Sequence, residues 1–126
     1  MTQPKYDINV SSVTRYVEEQ SDPVADRYVF AYTITIENTG QLSAQLLNRH
    51  WLITDSSGHE QEVKGAGVVG EQPILAPGEA FQYTSATMLQ APVGSMSGTY
   101  EMLAEDGVRF DAEILPFDLS MPRVLH

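Results

Sequence analysis

The 126-residue chain has the length of one domain, and we predict a single domain over residues 1–126. Its 17 acidic and 7 basic side chains give a net charge of −10, which repels a phosphate backbone and argues against nucleic-acid binding. The absence of cysteine excludes disulfides, thiolate metal sites and a cysteine nucleophile. No apolar run has the length of a membrane span, and the N-terminus lacks the apolar region of a signal peptide. We therefore expect a cytoplasmic protein without direct membrane insertion.

The first predicted strand lies near the N-terminus. Tyr6, Ile8 and Val10 alternate with polar residues, which is the period of a half-buried β-strand. Beyond Ser11-Ser12 the apolar phase moves to Val13. Because one extra residue in a strand shifts its phase by one position, this pattern predicts a β-bulge at Ser11-Ser12.

The clearest strand spans Tyr28–Asn38, because apolar side chains recur at every second position over eleven residues. A helix cannot keep that period. The next strand spans Ala44–Asp55, where Arg49 shares the apolar phase with Trp51. A charge on a core face is costly unless it is paired. We therefore predict that the strand bulges there, or that Arg49 is a structural anchor bound to a carboxylate or to backbone carbonyls.

The second half of the chain continues as short strands separated by turn residues. A turn leads into a strand over His59–Lys64, and a further strand spans Phe81–Met88. Between them, Pro77-Gly78 fits the two central positions of a type II turn, the second of which requires a positive φ. The segment Gln90–Gly98 is punctuated by proline and glycine, and we predict that it is a connection.

The last predicted element is a hairpin of Gly98–Ala104 and Val108–Leu119. Keeping the apolar residues of both strands on one side requires Ala104 to pair with Val108, which leaves the three loop residues Glu105–Gly107. Three-residue hairpins commonly place glycine in the left-handed conformation at the third position, and Gly107 occupies it.

This register brings carboxylates together. It places Glu101 opposite Asp111 and Thr99 opposite Glu113, and divalent cations of the hard class take several oxygen ligands from such groups. A solvated acidic face is the preferred interpretation. The sharper alternative is a weak, exchangeable Mg²⁺ or Co²⁺ site at Glu101, Asp111 and Glu113.

About seven strands and no amphipathic helix predict an all-β fold. The expected architecture is an immunoglobulin- or fibronectin-III-like β-sandwich, with Trp51 on a central strand.

The glycine-rich stretch Lys64–Pro73 contains the spacing Gly65-x-Gly67-x-x-Gly70. A dinucleotide-binding loop needs a helix after this turn, but here two prolines and a second turn follow. A Walker loop ends in Gly-Lys-Ser/Thr, whereas Lys64 stands at the beginning of this stretch. The open alternatives are an anion-binding nest of backbone amides and a shaped surface loop, of which we prefer the loop. The candidate binding residues are Lys64, Gly65, Gly67, Val69, Gly70, Glu71 and Gln72.

Catalytic chemistry finds little support. His50, His59 and His126 lack metal-ligand spacing, and no serine lies in a nucleophile motif. We predict no catalytic residue, no enzyme and no resident cofactor.

Several segments resemble the bacterial ApaG family. They are Arg27–Tyr32, Arg49–Ile53, Gly65–Pro73, Pro77–Glu79, Tyr83–Ser85, Gly94–Tyr100, Pro122 and Leu125-His126, which follow in the family's order over nearly the whole chain. Ala86 departs from the pattern, because the family commonly has glycine there.

The resemblance implies an immunoglobulin- or fibronectin-III-like sandwich without established catalytic residues. It also implies an association with Co²⁺/Mg²⁺ efflux and, through the family name, with diadenosine tetraphosphate hydrolase. Related domains in F-box proteins and in a polymerase-delta-interacting protein suggest protein binding.

We therefore predict a non-enzymatic binding module with an unidentified protein partner. The alternative is a phosphate- or dinucleotide-binding protein, or a hydrolase accessory, that uses the glycine-rich loop. Oligomeric state is open, and a dimer by edge pairing is one alternative.

Overall fold

A computed structural model describes residues 4–122 as two antiparallel sheets packed face to face. The strands are β1 Ile8–Tyr16, β2 Tyr28–Asn38, β3 Ala44–Asp55, β4 Glu60–Ala66, β5 Ile74–Leu75, β6 Ala80–Leu89, β7 Val93–Ala104 and β8 Arg109–Ser120. Two single-turn 3₁₀ helices, Glu18–Gln20 and Pro23–Ala25, lie between β1 and β2. No helix in residues 4–122 has the length and apolar character that a membrane crossing requires.

The two sheets differ in width. The smaller has the order β1-β2-β6, and the larger has the order β4-β3-β7-β8, with the short β5 paired to the beginning of β3. At one margin of the sandwich β1 packs against β8. The predicted all-β sandwich is confirmed, whereas its specific likeness to immunoglobulin or fibronectin-III domains stays a prediction.

Where local sequence decides the geometry, the predicted elements agree with the structure. β2 and β3 have the predicted bounds, and Ala104 and Val108 close the predicted three-residue hairpin, with the amide of Ala104 donating to the carbonyl of Val108 at 2.8 Å. Gly107 has a φ of +88° and Gly78 a φ of +87°, as the two predicted turns require.

The predicted bulge at Ser11-Ser12 is wrong. The pairing of β1 with β2 runs without interruption from Ile8 opposite Asn38 to Tyr16 opposite Phe30. Val13 therefore points outward, where it is 72% exposed. β1 is an edge strand whose inward positions are only partly buried, so Ser12 occupies an inward position without the cost of a deep core site.

The predicted connection Gln90–Gly98 is also wrong from Val93 onward, because β7 begins there. Gly98 is a place of close backbone approach and not a loop residue. A Cβ at this position would collide with the carbonyl oxygen of His50 on β3. The register of β7 with β8 shifts between Met96 and Gly98, and glycine inside a strand commonly marks such a bulge.

The core is organised around Trp51. Its ring makes edge contacts with Tyr32, Tyr100 and Phe117, at centroid distances of 5.6, 6.1 and 5.9 Å. The hydroxyls of Tyr100 and Tyr83 lie 2.5 Å apart and join the two sheets through the core. Burial raises the pKa of Tyr83 to about 12 and raises that of Tyr100 as well, so both phenols are neutral at physiological pH and one donates its hydrogen bond to the other.

Asn38 ties several chain segments together at the end of β2. Its side chain is buried, and its Nδ2 donates to the carbonyls of Leu42 and Leu75 at 2.8 Å each, while its Oδ1 accepts from the amide of Gly40 at 2.9 Å. Its backbone carbonyl also accepts from Gly78. One side chain thus holds the β2–β3 connection and β5 in place.

We expect Asn38→Ala to lower the free energy of unfolding by about 2–4 kcal/mol, because it leaves buried backbone groups without partners. Urea denaturation measures the change. Asn9→Ala, on the exposed face of β1, is the matched control and should cost less than about 0.5 kcal/mol. Equal effects of the two substitutions would contradict this role for Asn38.

The N-terminal segment is fastened to the last hairpin by Tyr6. The ring packs against Phe110 at a centroid distance of 5.4 Å, and the hydroxyl donates to Oδ2 of Asp106 at 2.5 Å. That hydrogen bond is the largest cause that holds the pKa of Asp106 below its ordinary value, and Lys5, 3.4 Å away, adds to it.

Tyr6→Phe should therefore raise the pKa of Asp106 toward its ordinary value, as measured by a carbon-13 NMR titration of the carboxyl group. A lowered folded-state pKa favours folding above the unfolded-state pKa, and this contribution is lost as the pH falls through the folded-state pKa. Wild type and Tyr6→Phe should accordingly differ in stability near neutral pH and converge in acid. Tyr16→Phe serves as the control, and a pKa of Asp106 that stays the same in Tyr6→Phe would exclude the hydrogen bond as the cause.

Candidate functional site

The candidate site begins at an irregularity in β3. The register of β3 with β7 shifts between Leu46 and Asn48, so the backbone of Leu47 is turned out of the regular ladder. The carbonyl of Leu47 accepts from the amide of Gly67 at 2.8 Å and from Nε2 of Gln72 at 2.9 Å. This single carbonyl holds both ends of the glycine-rich loop against β3.

Arg49 provides the second attachment, and the predicted structural anchor is confirmed. Arg49 on β3 lies opposite Gly65 on β4, and its guanidinium occupies the space that a side chain at Gly65 would need. Nη1 of Arg49 donates to the carbonyls of Ala66 and Gly67 at 3.0 Å each. The charge on the core face is therefore satisfied by backbone carbonyls where the loop begins.

The loop itself is a tight hairpin turn. The amide of Val68 donates to the carbonyl of Glu71 at 2.8 Å, and the amide of Glu71 donates back to Val68 at 2.9 Å. Val69 and Gly70, between them, have φ values of +44° and +80°. Positive φ at both central positions defines a type I′ turn.

Val69 is the unusual residue of this turn. A β-branched side chain in the left-handed region is strained, and the first central position of a type I′ turn favours asparagine, aspartate or glycine. The cost is of order 1–3 kcal/mol. Val69 is nevertheless 56% exposed, whereas its neighbour Val68 is fully buried. Val68 anchors the turn in the core and Val69 presents an apolar side chain at its tip.

The three glycines of the motif have steric roles. Gly65 leaves room for the guanidinium of Arg49, and Gly70 takes a positive φ. Gly67 has a φ of +63°, and a Cβ there would collide with the carbonyl of Glu71. Pro73 and the short β5 follow the loop. The sequence-based rejection of a dinucleotide loop is consistent with this geometry, because no helix begins there.

The structure corrects the bounds of the loop. The predicted loop started at Lys64, but β4 extends to Ala66, so Lys64 and Gly65 are strand residues. The register places them on opposite faces of the sheet. Only Gly67, Val69, Gly70, Glu71 and Gln72 of the candidate residues lie in the loop proper.

Three amides of the loop are used within the protein, whereas anion binding by the loop stays a prediction. The amides of Gly67, Val68 and Glu71 all donate to carbonyls of the protein itself, so they are not directed at a ligand. Lys64 lies on the outer face of β4, where its Nζ is 3.4 Å from Glu62. Any anion site at the loop would therefore depend on its remaining amides, and Lys64 is held toward Glu62.

An open groove of about 460 Å³ lies on the outer face of the larger sheet beside the loop. It is lined by Asn48, Arg49, His50, Lys64, Gly65, Ala66, Thr99 and Glu101. Sequence reasoning missed this groove, because it depends on the pairing of three strands. The sequence indicates only that Asn48 and His50 lie on the same face of β3, opposite to the face that carries Trp51.

The charges in and beside the groove are paired. Nε2 of His50 is enclosed and lies 3.4 Å from Oε2 of Glu62, without reaching hydrogen-bond geometry. His50, and after it Lys64, hold the pKa of Glu62 below its ordinary value. Asn48 donates to Glu101 at 2.7 Å, and Arg109 lies 3.5 Å from the same carboxylate. Glu62 and Glu101 thus each face a basic side chain, while Arg49, which also lines the groove, is bonded to backbone carbonyls.

The predicted register of the acidic residues is confirmed. Glu101 lies opposite Asp111 and Thr99 opposite Glu113. However, within residues 4–122 the structure gathers no group of three histidine, aspartate or glutamate side chains that could hold a metal ion. His126 lies outside the described residues. Metal binding at Glu101, Asp111 and Glu113 stays a prediction.

The fold and the site define a class of protein: a small antiparallel β-sandwich whose larger sheet carries an arginine-anchored, apolar-tipped turn. The sequence comparisons identify the family. The ApaG domain model matches residues 18–104, and proteins named ApaG from Thiobacillus denitrificans and Methylobacillus flagellatus are 66% and 59% identical over 122 and 127 residues. The matches cover 97% and 100% of this chain, and 96% and 100% of those relatives. The chain belongs to the ApaG family.

Solved structures agree with the fold. The crystal structure of a Bordetella pertussis protein that carries the name ApaA is 53% identical and superposes with a TM-score of 0.94, covering 98% of this chain and all of that one. An X-ray structure of a structural-genomics target is 52% identical and superposes with a TM-score of 0.88. The match covers 95% of this chain and 91% of the target's chain.

We expect Arg49→Lys to loosen the turn, because the lysine nitrogen lies one bond nearer the backbone than Nη1, which donates to both carbonyls, and lacks the guanidinium plane that fills the space over Gly65. Hydrogen exchange at the amides of Gly67 and Val68 should accelerate by about tenfold. Gly65→Ala should have the same effect, since its Cβ would lie 2.8 Å from the guanidinium.

The double variant should be little worse than either single one, because both remove the same contact. Arg15→Lys, on the exposed face of β1, is the control. Unchanged exchange at Gly67 in both single variants would show that Arg49 does not hold the loop.

Proposed function

We propose that this protein is a non-enzymatic binding module that captures a protein partner with the turn Val68–Glu71. The observation that carries the proposal is Val69, an exposed valine held at a φ of +44°. A strained residue persists only where the surrounding structure over-determines it, and such residues cluster at functional positions. Asparagine or glycine would form this turn without strain, so a role for the valine side chain itself accounts for its presence.

Rigidity supports the proposal. The turn is fastened by Arg49, by the carbonyl of Leu47 and by the buried Val68, so little conformational entropy is lost when a partner docks. Ile74, 66% exposed just beyond the loop, supplies a second apolar contact. The net charge of −10 favours a neutral or basic partner.

The alternative is a phosphate- or dinucleotide-binding protein, or a hydrolase accessory. It has less support, because the amides of Gly67, Val68 and Glu71 are used internally and Lys64 is paired with Glu62. A role as an accessory in Co²⁺/Mg²⁺ homeostasis follows from the family resemblance alone. In that role the module would act through its protein partner.

Val69→Asn separates function from stability. Asparagine tolerates the left-handed region, so the variant should gain about 0.5–1 kcal/mol of unfolding free energy in urea denaturation. Partner capture on immobilised protein, from a lysate of the organism that makes it, should fall about tenfold or more, since the apolar tip is gone.

Val24→Asn is the matched control, because Val24 is 98% exposed on a 3₁₀ helix and has no strained φ. It should leave both capture and stability unchanged. Gly67 is a poor probe, because any side chain there displaces the backbone of Glu71. Undiminished capture by a more stable Val69→Asn protein would reject the turn as the binding surface.

A further inference from the structure

The unequal widths of the two sheets leave one strand uncovered. β1 packs against β8 at one margin, and the smaller sheet continues with only β2 and β6, while the larger continues with β7, β3 and β4. Counted from the shared margin, β6 lies over β3, and no strand within residues 4–122 lies over β4. A space one strand wide therefore remains beside β6 and above β4.

The exposure of the inward-facing side chains supports this count. On β3, Trp51 and Ile53 are 2% and 5% exposed. Val63 and Gln61 pair with them on β4 and share their face, yet Val63 is 36% exposed and Gln61 is also exposed. The core-side face of β4 is thus open to solvent.

The edge of β6 turns its hydrogen-bonding groups toward this space. Thr84 and Thr33 of β2 have their hydroxyls 2.8 Å apart, the close approach typical of a non-hydrogen-bonded pair, whose backbone groups point away from each other. The N–H and C=O of Gln82, Thr84 and Ala86 therefore point to the open edge. At one end, Nε2 of Gln61 donates to the carbonyl of Met88 at 3.4 Å and takes the place of a strand donor.

β6 also lacks the features that protect edge strands. Its ten residues include no charge and no proline, and its register with β2 has no bulge. The other margins differ: β4 carries Glu60, Glu62 and Lys64, and β8 carries Arg109, Asp111, Glu113, Pro116 and Asp118. The edge strand β1 carries Arg15, so among the edge strands β1, β4, β6 and β8 only β6 has no charge.

We propose that this open slot, formed by Gln61 and Val63 of β4 and the edge of Gln82, Thr84 and Ala86, binds an extended segment of a partner protein. The segment pairs with β6 as the fourth strand of the smaller sheet and places a small apolar side chain over Val63. The guanidinium of Arg49, which lies against Gly65, bounds the slot at one end. Because Gln61, Val63 and the β6 edge carry no charge and the whole protein carries −10, the segment is neutral or basic. This site is separate from the turn Val68–Glu71.

A second copy of the chain does not fit the slot. If two β6 strands paired edge to edge, the projecting β4 of each copy would enter the space of the other's β3. Both copies carry −10 as well. A stable dimer buries about 800 Å² per partner, which one added strand does not supply.

A peptide titration of the nitrogen-15-labelled full chain tests the slot. The probes are two short synthetic peptides, one alternating valine with lysine and one alternating valine with glutamate. The lysine peptide should shift the amide resonances of Gln82, Thr84, Ala86 and Val63, and should bind more tightly than the glutamate peptide.

Two substitutions should each weaken this binding by about tenfold. Thr84→Pro removes an N–H that points into the slot, and Thr84→Ala, which keeps it, is its control. Val63→Lys places a charge on the slot floor, and Leu52→Lys places the same charge on the outer face of the sheet, where Leu52 is 44% exposed. Val69→Asn should leave the peptide affinity unchanged, which distinguishes this site from the proposed turn.

Three outcomes would overturn the proposal. One is the absence of shifts with either peptide. A second is shifts confined to Val68–Gln72, which would place the segment at the turn. The third is shifts at β6 that depend on protein concentration without peptide, which would identify a second copy as the occupant.

Discussion

The contact between the guanidinium of Arg49 and the backbone carbonyls of Ala66 and Gly67 determines the shape of the candidate site. It places a cation on the core face of β3, which is tolerable because those carbonyls satisfy it. It also requires Gly65, whose missing side chain leaves the space that the guanidinium fills. The end of β4, the entry of the loop and the position of the turn all follow from this contact.

The turn places a buried and an exposed valine at adjacent positions. Val68 is fully buried and contributes to folding, whereas Val69 is exposed and held in a strained conformation. Strain of this kind lowers stability and is retained where the side chain has a use. The glycine spacing that resembles a phosphate loop thus forms a turn with one apolar side chain exposed at its tip.

Charge is distributed unevenly over the two sheets. The strands of the smaller sheet contain one basic and one acidic residue, Arg15 and Glu37, whereas β4 and β8 carry most of the strand charges. Charged side chains on the larger sheet protect its edges from pairing with other strands. The smaller sheet is one strand shorter than the larger sheet at the edge of β6. This edge therefore has neither a neighbouring strand nor charged side chains that would prevent strand pairing.

The sequence by itself determined the elements that depend on local sterics. These are the period-two strands β2 and β3, the positive φ of Gly78 and Gly107, and the register of the last hairpin, all of which follow from side-chain alternation and glycine conformation. Only the tertiary structure decided the role of Gly98, the burial of Val68 beside an exposed Val69, and the uncovered face of β4. Each of these depends on which strands pair and how many lie in each sheet, and residues distant in sequence set those relations.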